Sequence, residues 1–274
     1  MLIKSLIEYI NIFNMKKIVF LLTLGICFTT AKAQNTAVGN SEKLVYTATY
    51  NMSGILNDLA QVTMETSKVR TSKATLLRLK CTATTYSKWD SFFKIRDLYE
   101  SYVSPTSLKP YLYKREINEG GYYKYMKYTF KHSSGYVKSL KKKKRSDGTI
   151  WEENKKVLIN HNTNDLVTTL YKLRTIDFSN MSSGQSKSFK VIFDNEEHTV
   201  NFKYLGTETI ASAIGTKNCY KLAISISDNN VLKGANENLL WLSADANKIP
   251  IYAKFKIAVG NGELKIKSAS GLKN

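Results

Sequence analysis

The clearest alternation of apolar and polar positions lies near the end of the chain. From Ile251 the odd positions Ile251, Ala253, Phe255, Ile257 and Val259 are apolar, with Lys254 and Lys256 between them. Period-two alternation predicts a strand with one face in a core and one in water. Asn261-Gly262 follows, a pair suited to a two-residue turn that needs φ > 0 at both positions. A hairpin closed there pairs Val259 with Leu264 and Ile257 with Ile266. It also sets Lys256 opposite Lys267, with Lys254 and Lys265 on the same outer face and only Glu263 to offset them.

The same pattern recurs upstream. Leu44 to Tyr50 alternates, as does Leu59 to Thr66 with Ala60, Val62 and Met64 on one side, and then Leu77, Leu79, Cys81 and Ala83. Tyr86 to Phe92 reads as a short helix or bend, after which Phe93, Ile95, Asp97 and Tyr99 restart a strand that Pro105 closes. An aromatic hairpin comes next: Lys109 to Glu116, a Gly120-Gly121 turn, then Tyr122 to His132. Gly135 opens a strand ending in Lys141 to Arg145, read as an exposed tip before the turn Ser146-Asp147-Gly148. Phe189, Val191, Phe193 and Val200, Phe202, Tyr204 predict a hairpin across Asp194 to Glu197, and strands at Glu208 to Ile214 and Cys219 to Ile226 follow. Helical spacing is convincing only at 165–174, where Leu166, Val167, Leu170 and Leu173 recur, Asn164 can cap, and Lys172 and Arg174 suit the C-terminus. The expected class is all-β, a single antiparallel β-barrel, half-barrel or sandwich with one short helix near 165–174.

The first 33 residues do not belong to that pattern. Met15-Lys16-Lys17, the apolar run Ile18 to Phe28 and the Ala31-Lys32-Ala33 site read as a signal peptide whose true start is Met15, leaving 34–274 as a single all-β domain. The apolar run falls short of the roughly 20 residues that span a bilayer, and Ile26 before Cys27 argues against a lipoprotein signal. This implies export to the periplasm or the periphery of the outer membrane. The mature chain has no further long apolar run, so no transmembrane span is expected in it. A formal net charge of +19 favours anionic partners. Outside the cytoplasm those are a lipid head group, an acidic glycan or an envelope protein rather than nucleic acid. Cys81 and Cys219 could form a disulfide in such a compartment, but the alternation sets them on different faces.

Several blocks carry a resemblance. Phe93-Lys-Ile-Arg-Asp97-Leu-Tyr-Glu-Ser101, Leu108-Lys-Pro110, Lys114-Arg-Glu116, Glu119-Gly120, Leu170-Tyr-Lys-Leu-Arg174, Gly215-Thr-Lys-Asn-Cys219-Tyr-Lys, Trp241-Leu-Ser-Ala-Asp245-Ala-Asn-Lys-Ile-Pro250 and Val259-Gly260 follow one another in order. Together they resemble the "domain of unknown function 3108" family, in the version found in exported proteins of Bacteroidetes-type bacteria. Ala244 departs from the pattern, since many members carry a second acidic residue there. The resemblance implies an exported antiparallel β-domain related in outline to lipoprotein-carrier folds, and no reaction.

The residues themselves point away from catalysis. His132, His161 and His198 have no metal-ligand spacing, and no G-x-S-x-G is present. Asp97, Glu116 and Asp245 are the carboxylates that could meet across the fold. Asp245 more simply organises its own turn and Asp97 more simply pairs with a neighbouring strand's Arg or Lys. The expected function is therefore non-enzymatic binding, without metal or cofactor, of an apolar or anionic envelope component. Tyr111, Tyr113, Tyr123 and Tyr125 would line the site, and Lys141, Lys142, Lys143, Lys144 and Arg145 would supply charge. The alternatives are a protein-interaction module assisting envelope assembly and, behind it, a glycan hydrolase.

Overall fold

The computed structural model describes residues 34–52, 55–227, 238–257 and 260–274. The segment read as a signal peptide and residues 53–54, 228–237 and 258–259 lie outside them. Asn35–Asn274 forms one compact unit. Its strands, in chain order, are β1 (Lys43–Met52), β2 (Ile55–Arg70), β3 (Thr75–Thr85), β4 (Arg96–Val103), β5 (Pro110–Glu119), β6 (Tyr122–Lys131), β7 (Tyr136–Lys144), β8 (Ile150–Leu158), β9 (Ser186–Phe193), β10 (Glu196–Ile210), β11 (Lys217–Ile226), β12 (Leu239–Ser243), β13 (Pro250–Ile257) and β14 (Gly260–Ser270). One helix, α1 (Leu166–Leu173), joins β8 to β9. The fold is all-β, as the alternation predicts.

These strands make a single 14-stranded antiparallel sheet in the order β8-β7-β6-β5-β4-β3-β2-β1-β14-β13-β12-β11-β10-β9. Each strand pairs with its neighbours in sequence except at the middle, where β1 pairs with β14. The two ends of the sheet, β8 and β9, do not pair with each other. The β9–β10 turn instead reaches the inward face of β5–β7, so the sheet curls into an open half-barrel. Phe193 faces Glu196, leaving Asp194 and Asn195 as a two-residue turn. Both have positive φ, +48° and +74°, which Asp and Asn tolerate better than other non-glycine residues.

Alternation sorts the inward face. Leu44 and Tyr46 of β1, Met64 of β2, Leu77 and Leu79 of β3, Tyr113 of β5, and Met126, Tyr128 and Phe130 of β6 share one core. A second core gathers Phe202, Tyr204, Leu222, Leu240 and Leu242 around Leu173 and Phe178. Helix α1 sits between them, contacting β3, β4 and β9. Its N-cap is Asp165 rather than Asn164. The Asp165 carboxylate accepts from the Thr168 backbone N–H (2.8 Å) and from Ser101 Oγ on β4 (2.5 Å), which fastens the helix start to the sheet. Asn164 is spent otherwise, since its backbone bonds the edge of β9 at Lys190 and Ile192.

Just beyond the helix, Arg174 is fully buried and forms a two-pronged ion pair with the equally buried Glu42, Nη1 to Oε1 at 2.6 Å and Nη2 to Oε2 at 2.7 Å. Its remaining donors reach the carbonyls of Asn247 (3.0 Å) and Ala37 (3.1 Å). One guanidinium thus ties together the N-terminal lead, the helix end and the β12–β13 loop.

Three sequence expectations are corrected. The terminal hairpin closes with Ile257 facing Gly260, not on Asn261-Gly262. Gly262 is a strand residue opposite Phe255, and a Cβ placed there would lie 2.2 Å from Phe255 Cε2. The glycine makes room for a ring across the ladder rather than a turn. Lys256 consequently faces Asn261, and Lys254 faces Glu263. The register keeps the described residues on their expected faces and removes the Lys256–Lys267 clash. Lys141 to Lys144 end β7, as the alternation places them, and Arg145 N–H to Thr149 O closes the turn; Lys141, Lys142 and Lys143 are half-buried rather than exposed, so the exposed tip begins only at Lys144. Glu208 to Ile214 is no separate strand, because β10 runs through a bulge at Tyr204/Gly206 to Ile210, with Gly206 at φ +115°. Finally β8, whose sequence IWEENKKVL lacks one apolar face, escapes a periodicity reading altogether.

Cys81 and Cys219 are both free thiols. Burial pushes the Cys219 thiol up to about 11 and that of Cys81 up to about 12, so both stay protonated near neutral pH.

Candidate functional site

The residues first suspected of ligand binding are split between the two faces of the sheet. Tyr113 is 2 % exposed and stacks on Tyr128 with ring centroids 5.7 Å apart, inside the core. Tyr123 and Tyr125 are half-buried on the opposite face, opposite Asn118 and Glu116. Tyr111 is exposed where β5 slips register against β4. Lys141 and Lys143 lie on the face of Met126 and Lys124, while Lys142 and Lys144 lie on the other. Lys142 pairs with Glu152 (2.8 Å), and Arg145 is exposed in the turn.

The carboxylates do not assemble as a hydrolytic pair either. Asp245 Oδ1 accepts from Asn247 N (3.0 Å), Lys248 N (2.9 Å) and Ser243 Oγ (2.9 Å), which fixes the β12–β13 loop. Glu116 faces Leu98 and Tyr125. Asp97 is buried, takes the Asn118 backbone N–H at 2.9 Å, and lies beside Glu119, whose charge outweighs the smaller opposing influence of Arg115. Burial first, then the Glu119 carboxylate, raise its pKa to about 7. A folded-state pKa above the unfolded value of about 4 means that the folded chain holds this proton more tightly. Asp97 therefore favours folding fully below about pH 4, and that contribution is lost as pH rises through 7. Asp97→Asn is expected to stabilise the protein at pH 8 and to do little at pH 4, a difference that urea unfolding at the two pH values would read. Equal effects at both pH values would refute it.

A more apolar concave site lies elsewhere. A cleft of about 1030 Å³ opens between the turn after β3 (Tyr86, Ser87, Lys88) and the end of β10 with its following loop (Thr209 to Ala213). Its floor is a ladder across three strands: Thr47 of β1 pairs with Lys265 of β14, which pairs with Tyr252 of β13. Lys267 extends the same floor, and Ile210, Ile251 and Ile266 contribute apolar lining. The walls are more apolar than polar.

Each wall is held from behind. Thr47 Oγ1 and the Tyr86 hydroxyl are 3.4 Å apart, and Trp89 Nε1 donates to the Asp58 carbonyl (2.7 Å), which anchors the turn after β3 on β2. Ser212 Oγ donates to Gly215 O (2.7 Å), which braces the facing loop. Tyr252 stacks on buried Trp241 with centroids 4.9 Å apart. Its hydroxyl is pushed well up by burial and by its hydrogen bond to Glu263. Burial alone would raise Glu263, but hydrogen bonds from Lys265 and Tyr252 hold its carboxyl below the usual range. Lys265 is thus partly neutralised, at 2.8 Å from Glu263. Lys88 and Lys267 are exposed at the rim, and Asp58 is the one acidic lining residue. An apolar trough with cationic lips suits a molecule with an apolar body and an anionic group.

No residue of the cleft except those of the terminal hairpin stood out in the sequence. Its lining comes from six separate stretches that only the strand order brings together.

The chain resembles solved structures in its fold. A beta-barrel-like protein of domain of unknown function DUF1849 from Brucella abortus is similar at a TM-score of 0.53 and 8% identity, covering 85% of this chain and 99% of the other. A protein from Bacteroides fragilis with a YmcC-like fold, inferred to be exported, gives a TM-score of 0.36 at 8% identity over 86% of this chain and 99% of its own. No curated protein matches. A family described as protein of unknown function (DUF3108) matches residues 45–267.

Proposed function

The chain belongs to the DUF3108 family, and from that premise we propose that it is an exported, non-enzymatic binding protein for an anionic amphiphile of the cell envelope. The observation that carries this reading is the cleft between Tyr86–Lys88 and Thr209–Ala213, apolar along its walls and cationic at its lips. Its volume falls at the upper end of the range of about 300–1,000 Å³ for small-molecule sites, which suits an acyl chain with a head group. Ile210 and the Tyr252 ring would pack the apolar portion, and Lys88, Lys265 and Lys267 would face the anion.

The test has two parts. Native mass spectrometry with lipid extraction, on protein purified from its own envelope, is expected to show a stoichiometric acidic lipid. With a fluorescent long-chain fatty acid as probe, the Lys88→Glu/Lys267→Glu variant is expected to bind at least about tenfold more weakly, since two attractive charges become repulsive. Both positions are exposed, so the fold should be unaffected. Equal affinity of variant and wild type, or a clean unliganded mass, would overturn the reading.

A further inference from the structure

Strand β8 ends the sheet, and among the described residues it pairs with β7 alone. Arg145 N–H bonds Thr149 O and Ile159 N–H bonds Gly135 O, so the odd-numbered residues of this stretch turn their backbone groups toward β7. By the alternation of an antiparallel ladder, Ile150, Glu152, Asn154, Lys156 and Leu158 then present their N–H and C=O groups outward. The edge carries no proline, glycine or bulge to block pairing. Leu158 and Ile150 are 75% and 52% exposed, among the most exposed large apolar side chains of the protein.

The sequence of this edge is complementary to itself when reversed. Ile150-Trp-Glu-Glu-Asn154-Lys-Lys-Val-Leu158 reads as two apolar residues, two acids, a central asparagine, two bases and two apolar residues. Laid antiparallel on a second copy about Asn154, Glu152 meets Lys156 and Ile150 meets Leu158 on one face. On the other, Glu153 meets Lys155 and Trp151 meets Val157. The centre falls on an even residue, so the residues that meet as Asn154–Asn154, Glu152–Lys156 and Ile150–Leu158 are those whose backbone groups point outward. Side-chain charge, apolar ends and backbone direction thus select one register. Within a single chain Glu153 and Lys155 form no ion pair among the described residues, and Glu152, which accepts from Lys142 on Oε2 (2.8 Å) and from Asn154 Nδ2 on Oε1 (3.2 Å), would gain Lys156 of the second copy.

We propose that this protein self-associates through β8, edge to edge, as a two-fold antiparallel dimer centred on Asn154. The partner is a second copy of the chain, and the two sheets join into one.

Analytical ultracentrifugation of the purified protein is expected to show a concentration-dependent dimer. Asn154→Pro removes an outward N–H and leaves the β7 ladder intact, so it should give a folded monomer. Two further variants separate charge from folding. Glu152→Lys/Glu153→Lys and Lys155→Glu/Lys156→Glu each set like charges opposite one another in a homodimer, and each alone should stay monomeric. Mixed, they should form a 1:1 heterodimer, because every cross-pair is then opposite in charge. A wild-type protein that stays monomeric up to about 500 μM, far above a micromolar-range dissociation constant, would overturn the proposal. So would dimers that survive the proline, or variants that fail to associate on mixing.

Discussion

Arg174→Ala is expected to destabilise the protein by about 3–5 kcal/mol, because it strands a buried carboxylate without a partner. Glu42 and Arg174 have no exposed side-chain surface, so water cannot replace the lost guanidinium. The carbonyls of Asn247 and Ala37 lose their donors in the same step. For a domain of this size such a loss lowers Tm by about 10 °C or more. Glu42→Gln/Arg174→Met removes both charges and keeps the volume, and should cost clearly less than the sum of the single changes. Calorimetry on Arg174→Ala, the double variant and its two component single variants measures both quantities. A loss below about 1 kcal/mol in Arg174→Ala would show that the lead segment is held by other contacts.

The second large effect is expected at Asp194. Its carboxylate, on the β9–β10 turn, receives Arg115 and both arms of a Lys124 contact (2.6 and 2.7 Å) from the inward face of β5 and β6. Arg115 and Lys124 are nearly buried, and Phe193 covers the guanidinium at 4.4 Å. Burial alone would raise the Asp194 pKa, but the hydrogen bonds and charges of Lys124 and Arg115 outweigh it and hold the carboxyl below its usual range. Burial pushes the Lys124 ammonium down, which marks it as the cation that depends most on this partner. Asp194→Asn, which keeps a side chain suited to the positive φ of this turn, leaves two cations side by side in the curl of the sheet. We expect a loss of about 2–3 kcal/mol, reduced from the fully buried case because the Asp194 side chain is 38% exposed. The sign of the pH dependence follows from the lowered pKa. The stabilisation is complete above the unfolded value of about 4 and disappears as pH falls through the folded value. Denaturation of wild type and variant should therefore differ by a constant amount from pH 8 to about 5 and converge below about pH 4. A constant gap down to pH 2 would exclude the ion pairs as its source.

What the sequence disclosed, and what it withheld, follows from how far each signal reaches along the chain. Leu44 to Tyr50 and Leu77 to Ala83 declare their inward faces because burial on one side imposes a period of two on neighbouring residues. Helix 166–173 was legible for the same local reason. The Asn261-Gly262 signal misled because glycine answers two demands, a positive φ and an absent Cβ; here Phe255, across the ladder, requires the second. Strand β8 escaped because an edge with both faces partly wet carries no apolar period. Arg174 looked like a helix C-terminal cation, and nothing nearby announces that Glu42 waits for it. The candidate site was the least legible feature. Tyr111, Tyr113, Tyr123 and Tyr125 are neighbours in a hairpin, yet pleating sends Tyr113 to one face and Tyr123 and Tyr125 to the other, whereas Lys88, Ile210 and Lys267 are remote in sequence and share a cleft.

The pairing of the first strand with the last also governs how the chain can fold. Every other ladder joins strands consecutive in sequence, and such hairpins can zip as soon as both arms exist. The β1–β14 ladder, which brings Lys43 to Ser270, closes a loop comprising almost the whole domain. Its closure entropy must be met before its contacts return anything, which places it late and makes the overall rate slow. A chain emerging N-terminus first therefore holds one side of β1 unpaired until its final strand arrives. During that interval the future middle of the sheet is a naked edge, the kind of surface on which unfinished chains aggregate. Folding thus sets a specific kinetic demand: whatever attends this chain as it folds must shield β1 until β14 is free to take its place.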